Sequence, residues 1–146
     1  HRHSSAASDV YKRQMEHIKV AENWANRQPY AFPEEVANEI EMIIRTVSYP
    51  DVALLEHLLT IEGIDTQRVS EWMHFSTNLY PIYSQKACDA LTEMGLDTPY
   101  ELNDMASYGL YVSRIEGLKM YAPAKGLPEI GLPRSRMLQL GLERFE

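Results

Sequence analysis

Cysteine is nearly absent: Cys88 is the only one in 146 residues. A single thiol excludes an internal disulfide framework and a cysteine-rich zinc site. Set among helical residues, Cys88 reads as a buried, inert side chain. Histidine is scarce too, with only His17, His57 and His74 outside the first fourteen residues. No H-x3-H spacing joins them, so no metal ligand set is expected. The chain has no G-x-G-x-x-G, no P-loop and no G-x-S-x-G, and its carboxylates come without a nucleophile motif. A protein with no catalytic residues and no cofactor is the expectation. No apolar run nears the roughly 20 residues of a membrane span. No secretory signal is evident, so a cytoplasmic protein without a membrane partner is expected.

Positive charge is also short. Lys and Arg number 14 against 21 Asp and Glu, a net charge of −7. Chains that bind DNA strongly by themselves present a basic face, because phosphate neutralisation drives affinity. The first fourteen residues, H-R-H-S-S-A-A-S-D-V-Y-K-R-Q, differ in composition from the rest of the chain and resemble translated adaptor sequence. They are expected to be a non-native tail, with Met15 as the start. Removing their Arg2, Lys12, Arg13 and Asp9 leaves 11 basic against 20 acidic residues, or −9.

Helical periodicity is abundant by contrast. At 45% apolar and 24% charged residues, the chain has the composition of one soluble domain long enough to bury a core. No segment alternates with period two and no repeat of 20–50 residues occurs, so the architecture should be all-α. A lead-in over residues 15–32 carries a short helix at 16–26, ended by Arg27-Gln28-Pro29. Pro33 with Glu34 and Glu35 opens the next helix. Val36, Ile40, Ile43, Ile44 and Val47 form its apolar face, and Glu34, Glu35, Glu39 and Glu41 its solvated one. Asp51 caps a leucine-rich helix that ends at Gly63. A fourth helix is expected from near Pro81 to Met94. Thr98-Pro99-Tyr100-Glu101 matches a capping box for a helix to about Tyr121, weakened by Gly109 and Gly117 with a break near Gly109. Residues 125–133 read as a linker, and Met137, Leu138, Leu140 and Leu142 as a short terminal helix that docks on a neighbour.

Leu54 to Phe75 reads as a helix-turn-helix with Gly63 in the turn. Leu58, Ile64, Val69 and Trp72 would lock the two helices. Thr66, Gln67, Arg68, Ser70, Glu71 and His74 would form the outward arc of the second. Gln67 suits adenine and Arg68 guanine, so Thr66, Gln67, Arg68, Ser70 and His74 are the expected DNA-contacting residues. Six tyrosines cluster in the second half, where cations are few. Tyr100, Tyr108, Tyr111 and Tyr121 are therefore expected to form a subunit interface rather than a base-stacking groove.

Residues 63–72, G-I-D-T-Q-R-V-S-E-W, are similar to the helix-turn-helix of small terminase subunits and related phage DNA-packaging proteins. Pro33-Glu34-Glu35 and Lys86-Ala87 match further features of that family, and the resemblance spans about residues 30–95. It implies a non-enzymatic, oligomeric adaptor that recognises viral DNA for a large terminase ATPase-nuclease, within the host cytoplasm. The resulting organisation is a tail at 1–14, a helical domain at 15–95 with the helix-turn-helix at 54–75, an oligomerisation segment at 96–122, and a linker with a short helix at 123–146. The partners expected are DNA, bound weakly per subunit, and further copies of the chain. The alternatives are a dimeric transcription regulator and a helical protein–protein interaction module without DNA binding.

Overall fold

Pro33 sits at the N-cap of a helix over Glu34–Thr46, which we call α2. Glu34 and Glu35 lie in its first turn, where carboxylates meet the positive end of the helix dipole. Before it, residues 16–24 form α1. The remaining elements are a 3-10 helix at Val52–Thr60, α3 at Thr66–Thr77, α4 at Gln85–Glu93, α5 at Met105–Tyr121 and α6 at Arg134–Glu143. These come from a computed structural model that describes residue 13 and residues 16–28, 33–121 and 133–144, with the Tyr121 side chain outside that set. Among the described residues the architecture is all-α, without strands. No described helix is long and apolar enough to cross a membrane.

The leucine-rich segment departs from the expected α-helix. Its apolar residues Val52, Leu55, Leu58 and Ile61 recur every three positions. A 3-10 helix has three residues per turn, so that spacing places them on one stripe. Leu55 and Leu58 are buried accordingly, with Val52 and Ile61 packed against the same core. Asp51 does cap it, its side chain accepting from the Ala53 N–H. Gly63 turns the chain with φ +84°, and Asp65 caps α3 by accepting from the Arg68 N–H at 2.8 Å.

Two further boundaries differ for one reason: tyrosine hydroxyls claim the backbone. Residues 80–84 do not begin a helix. The Pro81 carbonyl accepts from Tyr108 at 2.7 Å and the Ile82 carbonyl from Tyr111 at 2.8 Å. The Tyr83 N–H donates to Ser70 Oγ. Helix α4 therefore starts later, with the Ser84 hydroxyl accepting from the Ala87 N–H. The Thr98-Pro99-Tyr100-Glu101 signal opens no helix either. Tyr83 Oη donates to the Pro99 carbonyl and accepts from the Glu101 N–H, both at 2.9 Å. Thr66 takes the Glu101 and Leu102 carbonyls, through its hydroxyl and its N–H respectively, both at 2.7 Å. With these groups committed, helix bonding waits until α5. There Asp104 accepts from the Ala106 N–H and the Ser107 hydroxyl. Helix α5 then runs through Gly109 without a break.

The core gathers residues from every helix, with Trp72, Tyr80, Tyr83, Tyr108 and Tyr111 its largest fully buried side chains. Helix α3 packs on α2 and the 3-10 helix, α5 packs on the 3-10 helix, and α6 packs on α4 and α5. The terminal helix thus docks within its own chain. Arg136 lies over the Trp24 ring, 5.0 Å from its centroid, which also brings α6 against α1.

Candidate interaction surfaces

The residue pattern of α3 predicts a polar arc facing solvent. The structure corrects this: Thr66, Ser70, Glu71 and His74 are buried. Each has an internal task. Thr66 holds the 101–102 backbone as above. The Ser70 hydroxyl accepts from the Tyr83 N–H and donates to the Gln67 carbonyl. His74 Nδ1 lies 2.9 Å from the Tyr80 carbonyl, so that nitrogen carries the proton and donates. Burial of the His74 imidazole lowers its pKa, because removing water penalises the cation.

Gln67 and Arg68 are partly exposed but engaged. Arg68 Nε and Nη2 grip the Glu22 carboxylate at 2.7 and 3.1 Å, and Nη1 donates to the Gly63 carbonyl at 2.7 Å. Trp72 Nε1 donates to the same carboxylate at 2.8 Å. Arg27 pairs with the buried Glu71, which also accepts from Gln67 Nε2 at 3.2 Å. Gln67 Oε1 in turn accepts from the Tyr100 hydroxyl. Two arginines and two carboxylates thus make a neutral network joining α1 to α3. Burial pushes the Glu22 carboxyl up, but the hydrogen bonds from Arg68 and Trp72 outweigh it and leave its pKa lowered. At the more deeply buried Glu71, burial outweighs Arg27 and the pKa is raised. Nothing in the sequence singles out Glu22 and Arg27. The lead-in gives them no spacing to α3, since they lie 46 and 44 residues from the partners they bind.

The expected tyrosine interface is corrected in the same way. Tyr108 and Tyr111 are fully buried within the chain and Tyr100 is partly buried. Their rings meet around Tyr83, whose centroid lies 4.6, 5.2 and 5.3 Å from those of Tyr100, Tyr108 and Tyr111. Burial raises the Tyr83 pKa to about 12 and those of Tyr108 and Tyr111 well above the usual range, so all three stay neutral donors. Tyr121 lies outside the residues whose side chains are described. Cys88 is buried, its thiol pushed by burial to about 12, which makes it a poor nucleophile. Among the described residues no three His, Cys, Asp or Glu side chains gather into a metal-binding group.

The solvent-facing chemistry lies elsewhere. Met42 on α2 is 62% exposed, Tyr49 on the connecting link 63%, and Leu54 on the 3-10 helix 37%. His57 Nδ1 reaches Glu39 Oε1 at 2.7 Å, tying the outer sides of these two helices together. Met42 is one turn from Glu39 and Leu54 one 3-10 turn from His57, both toward the link that carries Tyr49. The three apolar side chains therefore lie on one side of the bridge. Beside the link, a cleft of about 380 Å³ opens between Tyr49, Pro50 and Val52 and the α5 residues Gly109, Val112 and Ser113. Against family models, curated proteins and solved structures, the chain finds no match.

Proposed function

We propose that this chain is a non-enzymatic helical interaction module that engages another protein rather than reading DNA. The observation that carries this reading is the fate of Arg68. The one cation on the helix expected to read bases is held by the Glu22 carboxylate and the Gly63 carbonyl. A phosphate or guanine edge would have to displace a charge-assisted, bidentate pair. Three of the other residues expected to touch DNA, Thr66, Ser70 and His74, are buried. The net charge of −7 adds a repulsive field toward nucleic acid. Any packaging-adaptor or regulator role would need a DNA surface other than α3.

Fluorescence anisotropy with a labelled mixed-sequence duplex at low salt tests this. No binding is expected at tens of micromolar protein. Binding that Arg68→Ala abolishes, in a variant shown by circular dichroism to remain folded, would overturn the reading.

A further inference from the structure

Net charge in this molecule is local. Residues 34–62 hold seven carboxylates (Glu34, Glu35, Glu39, Glu41, Asp51, Glu56 and Glu62) against the single cation Arg45. Their net charge is −6 of the chain's −7; the remainder, with 14 acidic and 13 basic residues, is close to neutral. The same segment carries exposed Met42, Tyr49 and Leu54 and borders the cleft beside Tyr49. That cleft is lined on the link side by Tyr49, Pro50, Asp51 and Val52, and on the α5 side by Gly109, Val112, Ser113 and Glu116, so an apolar floor is rimmed by two carboxylates.

Resting on the interaction-module reading, we propose that the α2/3-10 face is the docking site for a basic amphipathic helix of a partner protein. The partner's apolar stripe covers Met42, Tyr49 and Leu54, and one of its large aliphatic side chains enters the cleft against Val112. Its flanking lysines and arginines meet the carboxylates of Glu34, Glu35 and Glu56, all exposed. Helix-in-groove recognition uses this division of labour, in which apolar anchors supply affinity and charges supply rate and selectivity. The charge pattern also selects against a second copy as occupant. A two-fold contact through this face would set two net charges of −6 against each other, and like charges across an interface are costly.

The probe is a fluorescein-labelled peptide of leucine and lysine, patterned so that one helical face is apolar, titrated by anisotropy into the full chain. Amide shifts from 1H–15N spectra locate the contact. Binding is expected to weaken at least tenfold in Met42→Asp and in Ser113→Trp, which fills the cleft mouth from an exposed position. Shifts should fall within residues 34–56 and 109–116. A peptide with glutamate in place of lysine should not bind. The proposal is overturned if both variants bind like the parent, if a lysine peptide with serine replacing leucine binds equally well, or if the shifts fall on α4 and α6. It is also overturned if light scattering finds a dimer that Met42→Asp splits, since a second copy then owns the face. Failure here with no DNA binding removes the partner assignment alone, whereas DNA binding through Arg68 removes the underlying reading.

Discussion

Helices α2 and α3 are both rich in polar residues and spend them in opposite ways. On α2, Glu34 and Glu35 stand in solvent, and Glu41 answers Arg45 on the same helix at 2.6 Å. On α3, Glu71, Ser70, Thr66 and His74 are buried, and Arg68 and Gln67 are held by α1, the turn and Tyr100. Polarity alone therefore does not mark a binding face. What separates the two helices is that Thr66, Ser70, Glu71 and His74 of α3 find partners within the core, whereas Glu34 and Glu35 of α2 stand in solvent. A buried network of charge-assisted hydrogen bonds ties α1 to α3 and commits those side chains to the fold, whereas solvent-facing charge creates a field that reaches outward.

The largest test of that contrast removes a member of the network. Arg68→Ala leaves the Glu22 carboxylate without its bidentate partner and should cost about 2 kcal/mol, in the range for hydrogen bonds to charged groups. Met42→Asp, on the exposed face, should change stability by no more than about 0.5 kcal/mol. Urea titration of both variants measures the difference. Equal midpoints would mean that the α1–α3 network contributes no more to stability than surface chemistry does.

Tyrosine hydroxyls sharpen the comparison next. Tyr111→Phe deletes one oxygen and strands the Ile82 carbonyl, at a cost of about 1 kcal/mol. Tyr49→Phe deletes a hydroxyl that reaches Asp51 at 3.4 Å in solvent, and its thermal midpoint should stay at the parent value. A parent-like midpoint for Tyr111→Phe would show that the 80–84 segment does not depend on that hydroxyl.

pH separates the two regions by sign. The folded pKa of His74 is lowered, first by burial, so its contribution is full above the unfolded value near 6.5 and is lost as pH falls toward the folded value. His57 is raised by its hydrogen bond to Glu39. Its contribution is present below about 6.5 and lost as pH rises through the folded pKa. Between about pH 7 and about pH 5.5 the His74 contribution to the parent's urea midpoint should fall, offset in part by buried Glu71, whose raised pKa works in the opposite direction. His74→Asn should flatten that fall, and His57→Gln should steepen it slightly. A His74→Asn variant with the same pH dependence as the parent would reverse the assignment of the buried imidazole.

Much of the fold is legible in the sequence because its signals are local. Pro33 with two glutamates, Asp51 and Gly63 each act within a few residues, and each does what its chemistry suggests. The two misplaced helix starts, near Pro81 and at Thr98, fail where distant groups take the backbone: Tyr108 and Tyr111 in one case, Tyr83 and Thr66 in the other. A capping box read from four residues cannot register a hydroxyl supplied from elsewhere in the chain. The expected polar arc of α3 is largely buried for a related reason. A polar residue at helical spacing looks solvent-facing until its buried partner is known, and the carboxylate and guanidinium that hold Arg68 and Glu71 come from the N-terminal lead-in. The acidity of residues 34–62, by contrast, can be counted directly from the sequence. Only the fold shows that Met42, Tyr49 and Leu54 within that segment are exposed and that a cleft against α5 adjoins it.

The smallest effect lies where the core meets the proposed docking face, at two glycines of α5. Replacing glycine by alanine inside a helix gains about 1 kcal/mol when space allows. At Gly117 a Cβ would meet nothing within 4 Å, so Gly117→Ala should raise stability by about that amount. At Gly109 the new methyl would sit 3.0 Å from Val52 Cγ2, closer than ordinary contact. The propensity gain is then offset by displacement of Val52, and stability should stay within about 0.5 kcal/mol of the parent. The added methyl takes up space at the cleft wall, so Gly109→Ala should weaken the leucine–lysine peptide while Gly117→Ala leaves it unchanged. Should Gly109→Ala stabilise as much as Gly117→Ala and bind the peptide equally well, Val52 moves freely and the cleft has no fixed shape for a side chain to fit.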